Sequence, residues 1–72
     1  MNEVSKEEFF RAIAGPENIH PHSERDRSVW ENQRTREVVG ITTPGYKHQH
    51  GASSRYMLDR NFAACKGIKE LQ

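Results

Sequence analysis

Two pairs of histidines are the residues of this chain best suited to bind a metal ion. His20 and His22 flank a proline in IHPH, and His48 and His50 occur in KHQH. Residues two apart on a strand point to the same side, so each pair could offer two nitrogens to one ion. However, the proline and a predicted loop argue against such strands, and zinc spacings such as C-x2-C are absent. We expect no metal and no other cofactor.

Cys65, the only cysteine, is a candidate nucleophile for catalysis. A thiol beside a histidine could form a catalytic pair. Cys65 instead falls on the apolar side of a predicted helix, where a lone cysteine is usually a small buried hydrophobe. The sequence also lacks a nucleophile elbow, a P-loop and a glycine-rich phosphate loop. We therefore expect no catalytic residues and no enzymatic activity.

Basic residues interleaved with aromatic ones suggest a DNA- or RNA-binding regulator. Basic groups attract phosphate, and aromatic rings stack on exposed bases. The pI near 8.0 is nevertheless below the values above about 9 that are usual for such domains. The residues concerned are Arg25, Arg27, Arg34, Arg36, Lys47, Arg55 and Arg60, with Trp30, Tyr46 and Tyr56.

Binding of a protein partner is the function that the sequence favours over this alternative. Small domains without catalytic groups commonly act by presenting a surface, and Arg, Tyr and Trp carry much of the energy of protein interfaces. The sequence does not fix an oligomeric state. The predicted contact residues are Arg34, Arg36, Tyr46, Lys47, His48, His50 and Arg55.

The clearest signal for an element that could position these residues is the segment VSKEEFFRAIAGP. Ser5 and Glu8 match a capping box, and a glycine followed by a proline supplies a stop. The pattern predicts a helix over 6–14. Two prolines in the next segment predict a loop over 15–27.

The remainder predicts three strands and a second helix. β-Branched residues and turn signals place the strands at about 28–32, 36–43 and 54–58. Gly40 inside the second strand indicates a bulge or close packing against a bulky neighbour. Apolar residues at helical spacing predict a helix over 60–70. The expected fold is α+β: an N-terminal helix, a three-stranded antiparallel sheet and a short C-terminal helix in a single domain, 1–72.

The sequence limits where in the cell the protein is expected to be. No apolar run is long enough to span a bilayer. The N-terminal segment MNEVSKEEFF is acidic and lacks the apolar core of a signal peptide. A single cysteine fits a reducing compartment. We expect a cytoplasmic protein without a membrane partner.

Several segments give the chain a resemblance to a class of phage proteins. The segment EEFFRAIAGPENIHP, a strand with Trp30, then TREVVG and YML together cover residues 7–58. This arrangement resembles small uncharacterised accessory proteins of tailed phages and prophages. The resemblance implies an accessory role, such as binding and inhibiting a host or defence protein or regulating phage genes. It carries over no functional residue.

Overall fold

The computed structural model describes residues 1–43 and 54–71, which form an antiparallel sheet with two short helices. The sheet has five strands in the order β1-β5-β4-β3-β2. The predicted three-stranded sheet is therefore wrong, although the fold is α+β. The strands are β1 (Asn2–Val4), β2 (Ile19–Glu24), β3 (Arg27–Asn32), β4 (Val38–Thr43) and β5 (Arg55–Leu58), and the helices are α1 (Lys6–Ile13) and α2 (Arg60–Cys65).

One of the two additional strands, β2, lies inside the segment that was predicted to be a loop. Glu24 pairs with Arg27 across a two-residue turn, so these two form the hydrogen-bonded pair that closes the hairpin. Hydrogen-bonded and non-hydrogen-bonded pairs alternate along the ladder. Pro21 is therefore in a non-hydrogen-bonded pair, and its nitrogen points away from β3. Proline is tolerated in a strand at such a position, because β2 is at the edge of the sheet.

The other additional strand, β1, precedes α1 and pairs with β5 at the opposite edge of the sheet. The backbone N–H of Leu71 donates to the carbonyl of Glu3 at 2.7 Å, so the C-terminal segment lies beside β1. The chain therefore begins with a strand, and not with the helix that the sequence predicted.

Helix α1 begins where the capping pattern predicts. Ser5 is the N-cap, and its hydroxyl accepts a hydrogen bond from the amide of Glu8 at 3.2 Å. The carboxylate of Glu8 pairs with Arg11 one turn later. Only the serine half of the capping box is thus formed, and the glutamate half is replaced by an i, i+3 ion pair on the helix surface.

The two helices pack on one side of the sheet, which we call the helix face. Directly paired residues of neighbouring strands share a face, so Trp30, Gly40 and Leu58 form one row across it. A Cβ on Gly40 would lie 2.8 Å from the Phe9 ring, which is the close packing that the glycine predicts. The buried cluster here consists of Val4, Phe9, Ala12, Leu58, Ala63 and Ile68.

The opposite side of the sheet, which we call the second face, has its own apolar row. Val29, Ile41 and Met57 are paired in register across β3, β4 and β5. Val29 is buried but lies outside the main cluster, while Ile41 and Met57 are partly exposed. These residues therefore do not pack against α1.

Helix α2 is shorter than the predicted helix over 60–70. It ends at Cys65, Lys66 is its C-cap, and Gly67 adopts a left-handed φ of +69° that stops the helix. Cys65 is exposed and not buried as the apolar spacing predicted. In the described part of the chain, neither helix combines the length and the apolar character needed to cross a bilayer.

Candidate interaction surface

The structure does not bring the described members of the predicted contact set together. Arg34 and Arg36 lie in the turn between β3 and β4, whereas Arg55 pairs with Thr43 at the far end of β4. The intervening strand of six residues is roughly 17 Å long. These arginines therefore cannot act on one small ligand.

The turn that carries Arg34 and Arg36 is built around an asparagine. The side-chain oxygen of Asn32 accepts from the amide of Arg34 at 2.8 Å and from the amide of Thr35 at 3.1 Å. Arg36 then adopts a left-handed φ of +67°. Asparagine side chains commonly form such turns, so the local sequence accounts for this geometry.

The remaining predicted contact residues are Tyr46, Lys47, His48 and His50. They lie in the segment between Thr43 and Ser54, outside the described residues. Their role as contacts stays a prediction.

Two of the three described arginines in the predicted contact set lie close to acidic side chains. The guanidinium of Arg55 lies 3.3 Å from the carboxylate of Glu3, and that of Arg36 lies 3.6 Å from the carboxylate of Glu31. All four residues lie on or beside the second face, as the strand register shows. A phosphate that bound there would compete with carboxylates already in place.

A set of aromatic side chains that the site prediction did not include lies on the helix face. Phe10, Trp30 and Tyr56 form what we call the aromatic patch: the ring centroid of Phe10 lies 6.0 Å from that of Trp30 and 5.8 Å from that of Tyr56. Phe10 is 42% exposed, so part of its ring is accessible to a partner.

The aromatic patch is held in place by the ring of Phe9 and by a hydrogen bond from Trp30. The buried ring of Phe9 lies 5.3–5.6 Å from all three rings of the patch. The indole N–H of Trp30 donates to the hydroxyl of Thr42 at 3.1 Å. The ring of Phe10 is therefore packed against three other rings, which reduces the side-chain entropy that would be lost when a partner covers it.

A shallow cleft of about 250 Å³ borders the aromatic patch. Hydroxyl groups can exchange hydrogen bonds with a partner's backbone, while the rings offer apolar area. The described residues that line this cleft carry no charged group and are Phe10, Ser28, Thr42, Thr43, Ser54 and Tyr56.

The strand register places the aromatic and the basic side chains of the sheet on opposite faces. Trp30 and Tyr56 are on the helix face, whereas Arg27 and Arg55 alternate with them and point to the second face. A single-stranded nucleic acid is bound by stacking and phosphate contacts along one groove. Among the described strand residues, the rings that could stack on bases and the basic groups that could bind phosphate are separated by the thickness of the sheet.

His20 and His22 share the second face, since β2 is a strand and not a loop. His22 lies 3.1 Å from the carboxylate of Glu24 and 3.6 Å from that of Glu31, while His20 contacts the side chain of Asn18 at 2.7 Å. Within residues 1–43 and 54–71, no three potential ligands are arranged to hold a metal ion. The expectation of no metal stays a prediction.

A larger cleft than the one beside the aromatic patch lies between α2 and the turn that joins β3 to β4. This α2 cleft has a volume of about 580 Å³. The exposed Cys65 is on its wall, and no described histidine lines it. The thiol–imidazole pair considered from the sequence is therefore not formed among the described residues.

Comparisons with known proteins give no further guide. No protein-family model, curated protein or solved structure matches the chain. The resemblance to phage accessory proteins stays a prediction, and function has to be inferred from the arrangement of side chains.

Proposed function

We propose that the protein is a non-enzymatic protein-binding module that uses the aromatic patch as the centre of its contact surface. The observation that carries the proposal is an exposed phenylalanine supported by a half-buried tryptophan and tyrosine, beside a cleft whose described lining residues carry hydroxyls and no charge. Aromatic residues are enriched at the buried centres of protein interfaces, where charged residues are depleted.

The separation of aromatic and basic side chains favours a protein partner over DNA or RNA. A nucleic acid lying on the aromatic patch would meet hydroxyl groups there, and none of the described residues lining the adjacent cleft is basic. A nucleic acid lying on the second face would meet Arg27 and Arg55 but no described aromatic ring of the sheet. Neither described surface combines the two contributions.

The resemblance to phage accessory proteins extends this proposal to inhibition of a host or defence protein. In that role the module would act by covering a functional surface of its partner. The identity of the captured protein would test this extension.

The proposal can be tested by affinity capture from a lysate of the cells that produce the protein, with and without nuclease. Phe10→Ser removes the exposed ring while leaving the buried Phe9 in place. Leu71→Ser is the matched control, because Leu71 is 52% exposed and lies apart from the patch. We expect a partner to be retained by the wild type and by Leu71→Ser and to be lost with Phe10→Ser.

Two outcomes would contradict the proposal. One is equal retention of the same partner by wild type and Phe10→Ser. The other is loss of all partners on nuclease treatment or with Arg27→Ala and Arg55→Ala, which would indicate nucleic-acid binding through the second face. Circular dichroism of each variant would show that the fold is retained.

A further inference from the structure

The α2 cleft is lined by both apolar and acidic residues. Val38, Val39 and Phe62 contribute the apolar surface, and Val38 is exposed there. A volume of about 580 Å³ is within the range of sites that enclose a large side chain or a small ligand. The cleft is formed by the turn between β3 and β4 and by α2, so it is distinct from the aromatic patch.

The charge of this cleft is opposite in sign to that of the whole chain. Glu17, Glu37 and Asp59 contribute three carboxylates and Lys66 contributes one ammonium, an excess of two negative charges. The complete chain has a net charge of +1. The local excess of carboxylates would attract a cation, and the concave shape reduces screening by solvent.

One carboxylate in the cleft is already matched, and two are not. The ammonium of Lys66 lies 2.7 Å and 2.8 Å from the two carboxylate oxygens of Glu17. Asp59 uses one oxygen to cap α2, accepting from the amide of Phe62 at 3.1 Å, and this bond does not neutralise its charge. Neither Asp59 nor Glu37 has an ion pair within the described residues.

Lys66 shows how a cation is accommodated in this environment. Besides its contact with Glu17, its ammonium lies 5.4 Å from the centroid of the Phe62 ring, within the range of a cation–π interaction. A carboxylate and an aromatic ring thus already hold one cationic side chain. An arginine suits the two unpaired carboxylates and the apolar residues of the cleft. Its planar guanidinium pairs with carboxylates, and its stem packs on apolar surface.

We propose that the α2 cleft binds an arginine side chain of a partner protein, with Glu37 and Asp59 facing the guanidinium and Val38 and Phe62 contacting the stem. This inference rests on the proposed function, because the arginine is assumed to belong to a protein partner. Its test uses a small compound and a different surface, so either proposal can fail without the other.

The probe is N-acetylarginine amide, titrated into the 15N-labelled protein while amide chemical shifts are recorded. Its matched control is N-acetylcitrulline amide, which has nearly the same shape and no charge. We expect saturable shifts at the residues of the cleft, with a dissociation constant on the order of 1–10 mM for the arginine compound. The citrulline compound should produce no saturable shifts over the same range.

Two variants assign the binding to particular carboxylates. Glu37→Gln removes one charge, and Asp59→Asn removes the other while keeping a side chain that can cap α2. Each should weaken the arginine compound by about 2- to 5-fold, as expected for a solvent-accessible ion pair. Glu7→Gln removes one negative charge from α1, outside the cleft, and should leave the affinity unchanged.

The proposal is overturned if the two compounds cause the same shifts, or if no saturable shifts occur at the cleft. It is also overturned if Glu7→Gln weakens binding as much as Glu37→Gln does. That result would mean that overall charge, and not the cleft, attracts the probe.

Discussion

The two faces of the sheet carry neighbouring residues of the same strands but differ in what covers them. The row of Trp30, Gly40 and Leu58 lies under α1, and Leu58 is fully buried. The adjacent row contains Ile41 and Met57, which are partly exposed. A strand residue therefore contributes to stability according to the element packed over it, and hydrophobic character alone does not predict its contribution.

The largest effect is expected where α1 meets the helix face. Phe9 is 0% exposed, so Phe9→Ala should lower the free energy of unfolding by about 3–5 kcal/mol. The adjacent Phe10→Ala should lower it by no more than about 1 kcal/mol, since that ring is 42% exposed. Urea unfolding followed by circular dichroism would measure both.

If Phe9→Ala does not fold, Phe9→Leu provides a measurable unfolding midpoint at the same site. Equal losses of stability at the two phenylalanines would show that α1 does not present Phe9 to the sheet as described.

A smaller loss is expected when the helix face is overfilled. In Gly40→Ala, the added methyl would lie 2.8 Å from the Phe9 ring and 3.1 Å from the carbonyl oxygen of Met57, and neither can move freely. Overpacking of this kind typically costs about 1–3 kcal/mol. The thermal unfolding midpoint should fall accordingly.

A double variant sharpens this test. Phe9→Leu shortens the side chain that opposes the new methyl, so the two changes together should cost less than the sum of their separate costs. Strictly additive losses would show that Gly40 is not constrained by Phe9.

Substitutions on the second face should reduce stability less than those on the helix face. Met57→Ala should lower the free energy of unfolding by roughly 0.5–1 kcal/mol, well under the 2–5 kcal/mol typical of a fully buried residue of this size. Chemical unfolding under the same conditions would allow direct comparison with Phe9→Ala. A loss as large as that of Phe9→Ala would indicate that this face is as tightly packed as the helix face.

The smallest effect concerns the ion pair that joins α2 to the segment before β2. The hydrogen bond from Lys66 lowers the pKa of Glu17 below its usual value of 4.5, helped by a backbone hydrogen bond and the charge of Lys66 and opposed by desolvation. A lowered pKa in the folded state stabilises the fold above the usual value, and this contribution is lost as pH falls through the lowered value.

The wild type should therefore be more stable than Lys66→Met at pH 6, and the difference should shrink below about pH 4.5. Thermal unfolding of both proteins across this range would measure it. Lys69→Met, which removes an exposed charge nearby, should not show the same pH dependence. A difference between wild type and Lys66→Met that stays constant from pH 6 to pH 3 would contradict the role of the pair.

Local signals in the sequence located α1 and the hairpin of β3 and β4, because caps and β-branched runs act over a few residues. They missed β1, whose three residues are too few to show a pattern and which is held by β5 more than fifty positions later. They also missed β2, because a proline such as Pro21 argues against a central strand. Proline is tolerated in an edge strand, but the sequence alone does not identify which strands are at the edges of the sheet.

The aromatic patch was not among the contact residues predicted from the sequence, for similar reasons. Consecutive residues on a helix point about 100° apart, so Phe9 and Phe10 could not both face the core squarely. That spacing could have identified Phe10 as exposed. It could not have placed Trp30 and Tyr56 beside it, since those contacts depend on the strand register.

Pro21 has one more consequence, for how another chain could attach to this sheet. At the β2 edge its nitrogen faces outward and has no hydrogen to donate, so an added strand would lack one rung of its ladder. At the β1 edge the carbonyl of Glu3 is already engaged by Leu71. Strand addition is thus disfavoured at both edges, which guards against polymerisation through the backbone and leaves recognition to side chains.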